Sequence, residues 1–67
     1  MKPFYFTFGV GDPVNHKHYV VIMAPNGEEA ARTMFALYGK QWAFQYRSAD
    51  EAGVEKWDLK LRKVHFA

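Results

Sequence analysis

Residues 19–48, YVVIMAPNGEEAARTMFALYGKQWAFQYRS, constrain the fold more than any other stretch of this chain. They read as an apolar β-branched run, a helix start, an amphipathic run, a helix stop and an alternating aromatic run. Asn26 is spaced to accept the amide of Glu29 while the Glu29 carboxylate reaches back, the arrangement of a capping box. Glu28 and Glu29 also suit the positive first turn, so a helix is predicted from Gly27. Within it Ala30, Met34 and Leu37, with Ala31, Phe35 and Tyr38, fall at i, i+3, i+4 and i+7 and form one apolar stripe. Gly39 supplies the left-handed position that ends it. Trp42, Phe44 and Tyr46 then alternate with Ala43, Gln45 and Arg47, a strand whose aromatic side faces inward.

The flanking segments extend this pattern. Phe4, Phe6 and Phe8 alternate with Tyr5 and Thr7, the period of a first strand. Gly9, Gly11, Asp12, Pro13 and Asn15 cluster as loop residues, and His18 to Ala24 resume an apolar run, which predicts an antiparallel pair joined by a loop over 9–17. Ser48 followed by Glu51 repeats the capping pattern, and Gly53 closes a single helical turn. Trp57, Leu59 and Leu61 alternate with Asp58, Lys60 and Arg62 as a fourth strand, after which Val64 and Phe66 fall out of phase. A bulge near Arg62 and Lys63 would restore the inward side. The expectation is an α+β fold over residues 1–67 as one domain. It has a small, mainly antiparallel four-stranded sheet with one helix on one face, in the order β-β-α-β-β with a short helical turn before the last strand. A right-handed crossover through the helix places strand one between strands two and three.

At 67 residues such a domain buries only about 60% of the surface its unfolded chain exposes. With no cysteine it has neither disulfides nor a thiolate zinc site, so the core stands alone or borrows surface from a partner. No run of about 18 apolar residues is present, and FYFTFG is too short and too aromatic for a signal-peptide apolar region. These features predict a soluble, cytoplasmic chain with no membrane partner. The net charge of +2 is too small to argue for nucleic acid by itself, but it is unevenly spread. Lys56, Lys60, Arg62 and Lys63 face only Asp58 near the C-terminus, a pattern that suits the solvated or edge-protecting side of a strand.

Catalytic chemistry finds no constellation. His16 and His18 stand two apart in the loop, but a metal site needs further ligands, and only Asp12 or the distant His65 is on offer. Ser48 is the only serine and serves as a cap, which leaves no Ser-His-Asp arrangement. FGVGDP looks superficially like a phosphate loop. It leads into a strand, however, and lacks the lysine and hydroxyl residue that such a loop uses. A non-enzymatic protein without cofactor or metal is expected. Its functional surface is predicted on the sheet face that the single helix leaves open. That face is assigned Tyr5, Thr7, Ala43, Gln45, Arg47, Asp58, Lys60 and Arg62, joined by Tyr19, Val21 and Met23 or else by His18, Val20 and Ile22. An apolar patch ringed by charges suits a protein partner or a second copy of the chain. The candidate partner-binding residues are Tyr5, Tyr19, Val21, Gln45, Arg47, Lys60 and Arg62. The alternative is a single-stranded nucleic-acid module, with the tyrosines stacking bases and the cations meeting phosphates.

The segments FYFTFG, YVVIMA, AARTMFALYG, QWAFQY and DEAGVEKW span nearly the whole chain. In their order and spacing they resemble a group of short proteins encoded by phages and prophages. The resemblance implies a small accessory protein of a mobile element that acts in the cytoplasm of a bacterial host by binding, with host-defence components among the candidate partners. It transfers no functional site, because the matching positions are those assigned to core and caps, Gln45 excepted.

Overall fold

The computed structural model describes residues 1–9, 16–39 and 42–67, and of Ala43 the backbone alone. Four strands form one sheet: β1 (Lys2–Phe8), β2 (His18–Ala24), β3 (Trp42–Tyr46) and β4 (Lys60–Phe66). Two helices, α1 (Gly27–Tyr38) and α2 (Ala49–Ala52), lie between β2 and β3 and between β3 and β4. The loop expected over 9–17 falls largely on residues 10–15, which lie outside the described residues. No helix among the described residues is long and apolar enough to cross a membrane.

Both helix starts are capped from their own sequence. Asn26 Oδ1 accepts the Glu29 amide at 2.9 Å, and Ser48 Oγ accepts the Glu51 amide at 3.1 Å. The reciprocal half of the first capping box is replaced, because the Glu29 carboxylate accepts from Arg32 Nη1 at 3.3 Å, beside an Arg32–Glu28 pair at 3.0 Å. Gly39 ends α1 at φ +63°, its amide donating to Phe35 O at 2.8 Å.

The sheet order is β3-β1-β2-β4. β1 runs antiparallel to both β2 and β3, while β4 docks parallel to β2, so β2, β3 and β4 share one direction. The sheet is therefore mixed, which corrects the expectation of a mainly antiparallel one. The reason lies in the chain's path, because β3 occupies one edge and β4 the other. The link between them has to cross the sheet and deliver β4 in the same direction. The path from β2 through α1 to β3 moves one way across the sheet, and the path from β3 through α2 to β4 moves back. Two crossovers of one hand that travel in opposite directions lie on opposite faces.

One face accordingly carries α1. Phe4, Phe6, Phe8, Val20, Ile22, Ala24, Ala30 and Met34 form the buried core there, with Tyr38 and Trp42 packed against it. The buried line of α1 is narrower than its predicted stripe, since Phe35 and Leu37 are exposed. Tyr38 takes the last-turn contact in their place, edge-on to Phe8 at 5.8 Å.

The reverse face carries α2 and residues 53–59. Ala52 is buried, α2 contacts β1 and β3, and Thr7 is buried beneath this crossing. Trp57 and Leu59, expected to begin the fourth strand, belong instead to the connection, since β4 starts at Lys60.

Candidate functional site

Strand register decides which side chains share the reverse face. Tyr5 pairs with Val21 and with Tyr46, and Thr7 pairs with Tyr19 and with Phe44. In β3 the register shifts between Thr7 and Phe8, whose partners are Phe44 and Trp42, so Ala43 is an extra residue. Trp42 thus stays on the helix side, edge-on to Phe6 at 5.2 Å, while Phe44 and Tyr46 turn to the reverse face. This corrects the reading that set all three aromatics inward. A second shift occurs in β4, where Tyr19 pairs with Leu61 and Val20 with Lys63, leaving Arg62 as the extra residue. That is the bulge expected near Arg62 and Lys63, and it brings Val64 and Phe66 back into phase with Leu61 as expected, but on the face away from α1. Leu61, Val64 and Phe66 lie on the reverse face with Tyr19, Val21 and Met23, and Lys63 and His65 lie on the helix side with Val20 and Ile22.

The reverse face is therefore apolar, where a polar one was expected. Its strand positions are Pro3, Tyr5, Thr7, Tyr19, Val21, Met23, Phe44, Tyr46, Leu61, Val64 and Phe66, none of them charged. Tyr5 and Tyr19 stack diagonally across β1 and β2 with ring centres 6.1 Å apart, next to the buried Val21. The α2 crossing covers only part of this surface. Phe44 is 60% exposed, Trp57 59%, Leu61 49%, Val64 40% and Phe66 70%. Leu61, Val64 and Phe66 form an exposed apolar row along β4, while Phe44 lies on the opposite edge strand, β3. A row of this kind is characteristic of a contact surface, unlike scattered single apolar residues.

Of the candidate binding residues, the structure brings Tyr5, Tyr19 and Val21 together and separates the rest. Gln45 lies on the helix side, where its Nε2 donates to Gly27 O at 3.1 Å. Arg62 projects to the same side, its guanidinium 5.2 Å from the centre of the Tyr38 ring. Lys60 opens the outer strand and pairs with Asp58 at 3.3 Å. Arg47 follows β3 and lines a cleft of about 710 Å³ with Lys2, Phe4, Asn26 and Gly27. The tyrosines and the cations do not share one face. Phe44, Trp57, Leu61, Val64 and Phe66 escaped the sequence reading, and the one signal for them was the phase slip at Val64 and Phe66.

A second cavity of about 460 Å³ sits on the reverse face, walled by Thr7, Phe44, Tyr46, Trp57 and Leu59. Among the described residues no group of three His, Cys, Asp or Glu lies close enough together to hold a metal ion. Asp12, offered with His16 and His18 for such a site, lies outside the described residues.

On the helix side the Tyr38 hydroxyl and His65 Nε2 share a hydrogen bond at 2.9 Å, tying the end of α1 to the outer strand. Burial first, and then the charges of Lys63 and Arg62, hold the His65 imidazole below its usual value of 6.5. Between that lowered value and 6.5 the unfolded chain binds more protons than the folded one, so stability rises with pH through this window. The thermal midpoint is expected to fall as pH is lowered from about 7 to about 5. The fall should be shallower in His65→Gln, which keeps a polar partner for Tyr38 but does not titrate. Identical pH profiles for the two proteins would remove His65 as the cause.

No family model matches the chain, and neither a curated protein nor a solved structure matches it.

Proposed function

We propose that this is a small non-enzymatic accessory protein of the phage or prophage kind, which acts by binding a protein partner through the reverse face of its sheet. Host-defence components of a bacterial cell are the partner class that the sequence resemblance favours. The observation that carries the reading is the uncharged row Leu61, Val64 and Phe66, open to solvent beside the stacked Tyr5 and Tyr19. Exposing sheet surface of this composition to water costs roughly 25 cal/mol per Å² of apolar area. Covering the exposed parts of these three side chains is worth on the order of 1 kcal/mol each.

Capture from bacterial lysate, with and without nuclease, tests the reading alongside the solution mass of the free protein. The tagged chain is expected to retain a nuclease-resistant protein or to run as a dimer. The double substitution Leu61→Glu and Val64→Glu should abolish either behaviour while leaving the thermal midpoint within a few degrees. A monomer whose captured proteins are the same with and without the substitutions would overturn the proposal. Retention that vanishes with nuclease, together with salt-dependent binding to single-stranded DNA, would favour the nucleic-acid alternative.

A further inference from the structure

We infer that the outer edge of β3 accepts an extended segment of a protein partner, one that carries a large apolar side chain and, three residues away, a carboxylate. The inference rests on reading the protein as a binding module and names the chemistry of what it binds. The two edges of the sheet are unlike. β4 presents Lys60, Arg62, Lys63 and His65 along its length, the cationic guard that natural sheets place on edges to refuse further strands. The other edge, β3, has the sequence WAFQY, with neither a charge nor a proline.

Both cavities are lined in part by this edge strand, and Tyr46 borders the two of them. Among the described residues, Lys2 and, at the end of β3, Arg47 are the only charged groups lining the larger cleft, and neither forms an ion pair. The cleft therefore complements an anion. On the reverse face, Phe44, Trp57 and Leu59 wall the smaller cavity together with His16 and Lys17, and its mainly apolar surface complements an apolar side chain. The larger cleft reaches the helix face through Gln45 and Gly27, so the two cavities address opposite faces of the sheet. Side chains of an added strand alternate between faces, and residues an odd number apart point to opposite sides. Phe44 and Arg47 are three residues apart, about 10 Å of extended chain, which sets the same separation between apolar anchor and carboxylate. Main-chain hydrogen bonds to β3 would supply affinity, and the cavities selectivity. A second copy of β3 does not fit the role, because WAFQY contains no carboxylate to meet Lys2 and Arg47.

Selection of a displayed library of random linear peptides against the full chain tests this. Enriched peptides are expected to share a large apolar residue and an Asp or Glu three positions apart. They should shift the backbone amide resonances of Phe44–Arg47 and spare those of β4. The double variant Lys2→Glu and Arg47→Glu, with an unchanged thermal midpoint, is expected to bind them roughly tenfold more weakly or worse, the scale of one lost charge-assisted contact. It should regain affinity for versions in which the acid is replaced by lysine, a reversal that mere loss of structure would not produce. Enrichment without an acid, shifts centred on Leu61–Phe66, indifference to charge reversal or no enrichment at all would each overturn the edge assignment. The Leu61→Glu and Val64→Glu capture experiment reads the broader binding proposal separately, so either can fail alone.

Discussion

Phe6→Ala is expected to remove about half or more of the chain's stability and lower its thermal midpoint by roughly 15–30 °C. Phe6 sits on β1, which is paired on both sides, and its ring is fully buried. It meets Trp42 edge-on at 5.2 Å and shares the core with Val20, Ile22, Ala30 and Met34. Truncating a buried phenylalanine to alanine costs about 3–5 kcal/mol, the transfer term plus the cavity left behind. At the usual 0.05–0.15 kcal/mol per residue, a chain of this length holds roughly 3–10 kcal/mol in all. It has no disulfide to limit the unfolded state. Phe6→Leu, which keeps most of the volume, should fold with a midpoint lowered by several degrees. Circular dichroism in the near and far ultraviolet distinguishes the outcomes. A cooperative melt of Phe6→Ala within a few degrees of the parent would show that the core repacks around the gap.

The local elements were legible because each is specified by neighbours in sequence. Asn26 and Ser48 cap the helices they precede, and Gly39 and Gly53 stop them. The alternation of Phe4, Phe6 and Phe8 is the buried side of β1. What stayed hidden was long-range. The parallel docking of β4 on β2 depends on where β3 ends, and no residue of β4 announces its partner. The extra residue at Ala43 could not be read either, because Trp42, Phe44 and Tyr46 alternate without a break. Only contact with Phe8 and Thr7 shows that the strand skips a position there. Each of these changes moves the candidate site. Because the chain crosses the reverse face, that face has apolar work to do beneath α2, and its uncovered remainder is apolar for the same reason. The cations assigned to it go instead to the helix side and the edge. Alternation in β2 groups Tyr19 with Val21, but which side of β2 joins Tyr5 was open in the sequence and is set by the pairing of Tyr5 with Val21 and Thr7 with Tyr19.

The crossing itself hinges on Gly53, and Gly53→Ala is expected to destabilise the fold by about 2–3 kcal/mol, more than an ordinary surface substitution. Two separable causes contribute. Gly53 ends α2 in the left-handed region at φ +76°, ψ 32°, where a side chain costs roughly 1–2 kcal/mol. A methyl group there would also stand 2.5 Å from Trp57 Cδ1, so the indole has to move. The main chain here is held, since the Trp57 amide donates to Gly53 O at 2.9 Å and the Leu59 amide to Val54 O at 2.8 Å, so relief has to come from rotation of the indole out of its packing. A double-mutant cycle with Trp57→Ala separates the two terms. In the Trp57→Ala background the methyl group meets no indole, and the cost of Gly53→Ala should fall to the backbone term alone. Chemical denaturation of the four proteins reads the difference directly. Equal costs in both backgrounds would mean that the indole swings aside freely. In that case Trp57, already more than half exposed, would be a mobile wall of the apolar cavity, not a fixed one.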